Sequence, residues 1–221
     1  MIPSLSYIVG NHTPHSSYLI VASGTTICTL ILSSLAAYGF ARYQFIGATT
    51  ISTSLLFGQM MPGVVVLLPL YMLYSHFGMI DSFRVLIISN LAINLPMGVL
   101  TLTQFIKNIP SDLDASAMID GASSMAVLYR IIVPIISPGL VTVGIFSFLN
   151  TWEEYLFAFN FTHSSTYKTL PVSISEFKGQ FVIDWGGMMS AAVIISVPVL
   201  FIFLLCSKYF IRGITEGAVK G

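Results

Sequence analysis

The sequence predicts an all-α, polytopic membrane protein with about five transmembrane helices and a short helix on the cytoplasmic side. Of its 221 residues, 55% are hydrophobic and only 8% are charged, whereas a soluble domain carries about a quarter charged residues. The mean hydropathy is +0.87, and the apolar residues form five long runs without a charge. Such a chain cannot cover a water-facing surface, so we expect it to cross the lipid bilayer of the cell membrane several times.

Charged residues delimit the five predicted spans. A helix needs roughly 20 residues to cross the ~30 Å hydrocarbon core, and four of the runs fit that length. The second run is longer and contains Pro62, Gly63 and Pro69. We interpret it as one crossing helix, kinked or broken near Pro62, with an extension along the interface. Two spans joined by a tight turn at Pro62 and Gly63 are the alternative, which would reverse every later segment. The predicted spans cover residues 17–40, 49–76, 85–106, 131–152 and 187–207.

The basic residues orient these spans, because Lys and Arg concentrate in cytoplasmic loops. With segment 1–16 outside and residues 17–221 forming one transmembrane domain, six basic residues fall inside and three fall outside. We therefore expect loop 108–130 and tail 208–221 in the cytoplasm and segment 153–184 outside. An amino terminus outside usually follows an earlier span, so we expect that the chain lacks an original first span or begins at a misassigned start. The inside set is Arg42, Lys107, Arg130, Lys208, Arg212 and Lys220, and the outside set is Arg84, Lys168 and Lys178.

Loop 108–130 holds an acidic patch, PSDLDASAMIDGASSMAVLYR, between two apolar runs. Ser111 followed by Asp114 predicts a capping box that opens a helix after Pro110. The pair Asp120–Gly121 predicts a left-handed stop, and a second helix can start near Ser123. We expect a short, capped helix across the inner face, with small side chains that let another surface approach closely. From the residues alone, a surface helix that only joins two spans remains the alternative.

The stretch DLDASAMIDGASSMAVLYRIIVPIISP resembles the coupling loop of ABC importer permeases, in which E-A-A-x-x-x-G precedes an apolar stretch and L-P. The pieces SLAAYGFARYQFIG, LPLY and the ending YFIRGITEGAVKG look like the carbohydrate branch, in particular the second permease of maltose-type and multiple-sugar systems. The chain departs from the family by Asp for Glu and Ser for Ala in the loop, and by Glu153, where the family commonly has Asn. The resemblance implies that the ATPase-coupling residues are Asp114, Ala115, Ser116, Asp120, Gly121 and Ala122.

The resemblance implies the permease subunit of an ATP-driven importer that moves a sugar or oligosaccharide by alternating access. The sequence contains no GxxxxGK[ST] phosphate loop. We therefore expect that this chain is not an enzyme, binds no cofactor and relies on ATP hydrolysis by a separate partner. The implied partners are a dimer of ATP-binding subunits, a second permease subunit, an extracytoplasmic substrate-binding protein and the lipid bilayer. Tail 208–221 is implied to reach between the ATPase subunits, and the zero net charge argues against nucleic acid.

Three other functions compete with this interpretation, and the residues that they would require help to distinguish them. An ion-coupled secondary transporter keeps ionisable residues inside its spans, and here the nearest is His76, at the end of the second run. An intramembrane enzyme would need a motif such as HExxH or GxSxG, which the sequence lacks. An ABC importer permease for a non-sugar solute stays open. In the third predicted span, Asn90, Asn94 and Gln104 could contact a sugar, although such residues more commonly pack between helices.

Overall fold

A computed structural model of the protein describes residues 14–177 and 184–218, and every regular element in these residues is helical. The elements are α1 Pro14–Arg42, α2 Ala48–Met60, α3 Gly63–His76, α4 Phe83–Lys107, α5 Asp112–Ile119, α6 Ser124–Val127, a π-helical turn Leu128–Ile132, α7 Val133–Ile135, α8 Ser137–Trp152, α9 Leu156–Phe161, α10 Leu170–Ser175 and α11 Trp185–Ala218. The predicted all-α fold class is confirmed.

The helices differ in how well they match a membrane crossing. Within the described residues, Tyr18–Arg42 and Phe83–Lys107 are long and apolar enough to cross by length and composition alone. The number rises to four if each of two bent helix pairs counts as one span, and Trp185–Phe201 forms a shorter apolar helix. The count of five spans stays a prediction. Most of segment 1–16 and the last residues of tail 208–221 lie outside the described residues.

Two of the predicted spans are interrupted. In the second, α2 ends at Met60 and α3 begins at Gly63, with Pro62 extended between them at φ −61° and ψ 132°. Proline cannot donate a helical N–H, so the break falls where the sequence predicted a kink or break. In the fourth, the residues of α6 to α7 and those of α8 are bent by 82° at the intervening Ile136. The sequence did not predict this second bend.

The contacts divide the described residues into two compact units. In unit one, the largest apolar cluster buries Leu86, Phe157 and Phe161 around Tyr74. In unit two, the core gathers Tyr38, Leu102, Leu128 and Ile132. Unit one comprises residues 14–25, 61–90, 148–177 and 184–205, and unit two comprises residues 26–60, 91–147 and 206–218.

Small residues set the close packing of α1 and α4 within unit two. A Cβ added at Gly98 of α4 would lie 3.0 Å from the Cβ of Ser33 on α1 and 3.2 Å from a methyl group of Val143. The hydroxyl of Ser34 donates to the carbonyl of Leu30 at 2.6 Å, which satisfies it inside its own helix. Helices in membranes associate mainly through such close contacts between small side chains. This packing fixes the end of α1 that carries the site described next.

Candidate functional site

Asp114 lies on the short helix α5, but its carboxylate points into unit two. The residue is only 6% exposed. The Nε of Arg42 donates to Oδ2 at 2.8 Å, and the Nη2 of Arg42 donates to Oδ1 at 3.3 Å. The hydroxyl of Tyr38 donates to Oδ2 at 3.2 Å. A two-pronged contact of this kind is among the strongest that a guanidinium and a carboxylate form.

Arg42 also binds the chain that leads into α5. Its Nη2 donates to the carbonyl oxygen of Ile109 at 3.1 Å. Arg42 is the last residue of α1, so the Arg42–Asp114 pair joins the end of α1 to the first turn of α5. A second bond lies nearby, from the hydroxyl of Tyr43 to Oγ of Ser124 at 3.0 Å. The loop that carries α5 and α6 is therefore held to α1 by side-chain bonds as well as by the chain itself.

The predicted capping box at Ser111 is wrong. Ser111 has helical angles, φ −67° and ψ −20°, and its side chain makes no capping hydrogen bond. In a capping box, the side chain of Asp114 would turn back to the N–H of Ser111. It binds Arg42 instead, because a two-pronged, charge-assisted bond is stronger than a bond to a neutral backbone group. The tertiary contact overrides the local pattern.

The left-handed stop at Gly121 is confirmed. Gly121 has φ +87°, a conformation that glycine adopts without the steric cost of a Cβ. The N–H of Gly121 donates to the carbonyl of Met118, and the N–H of Ala122 donates to the carbonyl of Ala117, both at 3.0 Å. These two bonds form the Schellman motif that ends a helix. The second helix begins as predicted, with the Oγ of Ser123 accepting the N–H of Ala126 at 3.3 Å.

The opposite side of α5 is open. We call it the α5 outer surface and define it by Ala115, Ser116, Ile119 and Asp120, all of which are exposed. Ile119 is 87% exposed, the highest value among the large apolar side chains of α5. Beside it lies a concavity of about 450 Å³, lined by residues that include Gly121, Ala122 and Arg130. Five of the six predicted coupling residues thus lie on this surface or at its edge, and Asp114 is the exception.

Sequence reasoning missed Arg42 and Tyr38. Arg42 is the charge that ends the first apolar run, within the motif FARYQF, and that position was its only signal. The Arg42–Asp114 pair spans 72 residues of sequence, so no local pattern could reveal it. Tyr38 lies one turn before Arg42 on the same face of α1, as residues four apart do.

The three predicted substrate residues all lie on α4 and differ in exposure. Asn90 and Asn94 are buried, each 2% exposed, and Gln104 is exposed. The side-chain amide of Asn90 donates to the carbonyl of Leu86 at 3.0 Å, within its own helix. Asn90 belongs to unit one, and the other two belong to unit two. Their contact with a substrate stays a prediction.

Two carboxylates outside the predicted spans have shifted pKa values. Burial raises the pKa of Glu154, although its two oxygens accept the N–H groups of Phe157 and Ala158 at 2.7 and 3.1 Å. For Asp81, partial burial acts against ionisation, but the N–H groups of His163 and Ser164 donate to Oδ1 and hold its pKa below the usual value. Both carboxylates accept hydrogen bonds from backbone N–H groups between residues 157 and 164. Within residues 14–177 and 184–218, no three His, Cys, Asp or Glu residues are grouped to hold a metal ion.

The sequence has relatives among characterised protein families. The profile of the family described as "Binding-protein-dependent transport system inner membrane component" matches residues 29–216. The probable ABC transporter permease protein YurM of Bacillus subtilis is 34% identical over 203 residues, which cover 92% of this chain and 68% of YurM. The trehalose/maltose transport system permease protein MalG of Thermococcus litoralis is 35% identical over 204 residues, which cover 92% of this chain and 73% of MalG. The sulfoquinovosyl glycerol transport system permease protein SmoH of Agrobacterium fabrum is 33% identical over 201 residues, which cover 91% of this chain and 70% of SmoH.

Solved structures with the same fold belong to ABC transporters. A bacterial ABC transporter involved in the import of the acidic polysaccharide alginate has a TM-score of 0.78 at 15% identity, covering 94% of this chain and 79% of that one. The MetNI methionine ABC transporter, in an inward-facing conformation, has a TM-score of 0.71 at 14% identity, covering 96% and 99%. At these identities the likeness concerns the fold alone.

Proposed function

Since the chain belongs to the family of binding-protein-dependent transport system inner membrane components, it is an ABC importer permease, and we propose that its cargo is a sugar or an oligosaccharide. Two of the relatives described above have names that specify a cargo, and the cargoes are trehalose, maltose and sulfoquinovosyl glycerol. These names support a carbohydrate cargo. A non-sugar cargo remains the second candidate. The fold by itself does not choose between the two, since it also occurs in a methionine transporter.

We propose that the α5 outer surface is where a separate ATPase binds. Exposed apolar and small side chains on a short helix suit insertion into a groove of another protein. Gly121 permits the turn that sets α5 apart from α6, and its conformation would cost a residue with a side chain roughly 1–2 kcal/mol. ATP hydrolysis belongs to the partner in this proposal, because the sequence lacks a phosphate loop. A second permease subunit and an extracytoplasmic binding protein complete the assembly.

The observation that carries the coupling mechanism is the Arg42–Asp114 pair. It ties the inner side of α5 to the end of α1 while the outer side stays open. When the ATPase dimer closes on ATP, it displaces α5. The displacement reaches α8 through the chain of α6 and α7, and reaches α1 through the Arg42–Asp114 pair. In this account Asp114 acts as an internal anchor, and the ATPase contacts its neighbours on α5.

Transport by the assembled complex tests the cargo. The chain is reconstituted in proteoliposomes with its second permease and ATPase. Binding protein loaded with one solute at a time is then added, and the rate of ATP hydrolysis is measured for each solute. We expect stimulation by binding protein loaded with a di- or oligosaccharide, together with uptake of that sugar. Stimulation by an amino acid or peptide alone would overturn the carbohydrate assignment and leave the permease assignment intact.

A further inference from the structure

Unit two contains a groove of about 280 Å³ between the end of α1, the first turns of α2 and the last turns of α4. The residues that line it include Lys107, which carries an ammonium group, and Thr49, Ser52, Thr53 and Thr103, which carry hydroxyl groups. Phe40 contributes to its apolar part. An ammonium group beside several hydroxyl groups is the chemistry that binds a phosphate group, because the ammonium group and the hydroxyl groups of Thr49, Ser52 and Thr53 can donate hydrogen bonds to its oxygens.

No residue that lines the groove carries a negative charge to neutralise Lys107. No carboxylate lines it, and among the described residues Lys107 forms no ion pair. The hydroxyl of Thr103 donates to the carbonyl of Val99 at 2.6 Å, so its oxygen keeps a fixed position in the wall. The groove therefore carries one net positive charge and attracts an anion.

The loop beside the groove has the character of a membrane interface. Residues 43–47 join α1 to α2, and Tyr43, Phe45 and Ile46 are exposed there, Ile46 completely. The ring of Phe45 lies 5.6 Å from the ring of Phe40, centroid to centroid, so this loop is continuous with the wall of the groove. Tyrosine is enriched at the level of the lipid headgroups, and Tyr43 is such a residue in this loop.

Helix α2 supplies an apolar path that leads away from the groove. None of its described residues is buried, and Ile51, Leu56 and Phe57 are each about half exposed or more. An acyl chain could lie along these side chains while a headgroup occupies the polar end. The predicted orientation places Lys107 on the cytoplasmic side, and anionic phospholipids are attracted to basic residues there.

We propose that this groove binds the phosphate headgroup of an anionic phospholipid from the cytoplasmic leaflet, with Lys107 as the counter-charge. Free phosphate would satisfy the ammonium and hydroxyl groups but would leave the apolar surface of α2 uncovered. An apolar helix of another subunit would cover α2 but would supply no counter-charge for Lys107. A phospholipid satisfies both parts. This proposal does not depend on which solute the permease carries.

Native mass spectrometry of the assembled transporter, purified with equal amounts of phosphatidylglycerol and phosphatidylcholine, tests the proposal. We expect phosphatidylglycerol to remain bound with a preference of about fivefold, the factor that one basic residue near an anionic lipid surface contributes. Lys107→Gln should bring the preference close to one, Lys107→Arg should keep it, and Ser52→Ala with Thr53→Ala should weaken it. Lys168→Gln, in the predicted external segment, is the control and should change nothing.

Three results would overturn the proposal. The wild-type complex could retain both lipids equally, or Lys107→Gln could keep the full preference. Inorganic phosphate could also displace the lipid at concentrations at which the lipid itself binds, and the groove would then be a site for free anions. Because Lys107 is exposed at the end of α4, neither substitution at this position should disturb folding, and the yield of intact complex verifies this.

Discussion

The guanidinium of Arg42 donates two hydrogen bonds to the carboxylate of Asp114, from Nε at 2.8 Å and from Nη2 at 3.3 Å. One residue ends a long apolar helix, and the other lies in the first turn of a short helix whose far side is open. The pair is therefore a direct side-chain connection between α1 and the helix whose outer surface is proposed to meet the ATPase.

Neutralising one member of the pair should destabilise the protein strongly. Arg42→Gln or Asp114→Asn leaves the other charge buried and uncompensated, which typically costs about 3–5 kcal/mol. Replacing both residues by apolar ones, Arg42→Met with Asp114→Leu, should cost less than either single change. Thermal unfolding in detergent, with Arg42→Met and Asp114→Leu added as single variants, measures this double-mutant cycle. Additive losses, with the double variant worse than each single variant, would show that the two charges do not act together.

Tyr38→Phe removes one hydrogen bond to the same carboxylate and should have a smaller effect. A hydrogen bond to a charged group contributes roughly 1.5–3 kcal/mol, and the Arg42 contacts remain in this variant. The change in unfolding midpoint should therefore lie between wild type and Asp114→Asn. Tyr43→Phe, which loses only its bond to Ser124, serves as the matched control and should lie closer to wild type. The opposite order would contradict the arrangement around Asp114.

Gly121 should tolerate only residues that accept a left-handed backbone. A Cβ at this position would meet no atom within 4 Å, so the cost of a side chain is conformational, roughly 1–2 kcal/mol. Gly121→Val should leave membrane insertion intact and uncouple ATP hydrolysis from uptake, and Gly121→Asn should do so less. Gly39→Ala, in the regular helix α1 with no atom within 4 Å of the added Cβ, is the control. Uptake at the normal rate by Gly121→Val would refute a mechanical role for this turn.

The α5 outer surface should lose its partner when its largest apolar side chain becomes charged. Ile119→Asp changes a side chain that is 87% exposed, so the fold should persist while the ATPase subunit no longer binds. Phe159→Asp, at an exposed apolar position on α9 in the predicted external segment, is the control. Co-purification of the ATPase with each variant measures the effect. Equal recovery with both variants would place the binding surface elsewhere.

The bond between Asp81 and segment 153–184 should weaken in acid. The carboxylate accepts two backbone N–H groups, so its pKa is lower folded than unfolded. Its contribution is therefore present above the ordinary pKa of an aspartate and is lost as the pH falls through the lowered folded value. Proteolysis of the chain around His163 should become faster in that range. Asp81→Asn keeps an acceptor oxygen and tolerates the φ of +59°, so it should remove the pH dependence, and an unchanged dependence would exclude Asp81 as its source.

Local signals in the sequence predicted local features correctly. These signals act within a few residues. Helix α5 ends before Gly121, helix α6 begins after Ser123, and the second predicted span is interrupted at Pro62. The capping box at Ser111 failed because Arg42, which is distant in sequence, binds Asp114. The bend of 82° at Ile136 was missed although Pro134 and Pro138 flank it in the sequence. Tertiary pairing energies exceed the local preferences that a sequence displays.

The most direct test of the central claim compares ATPase binding and transport in Asp114→Asn and Arg42→Gln. If Asp114 acts from inside the subunit, as its 6% exposure indicates, the folded fraction of both variants, isolated below their lowered unfolding midpoints, should still bind the ATPase with near wild-type affinity. Both should also transport less solute for each ATP hydrolysed. Loss of ATPase binding in Asp114→Asn, with normal binding and transport in Arg42→Gln, would show that the carboxylate faces the partner and would contradict this account.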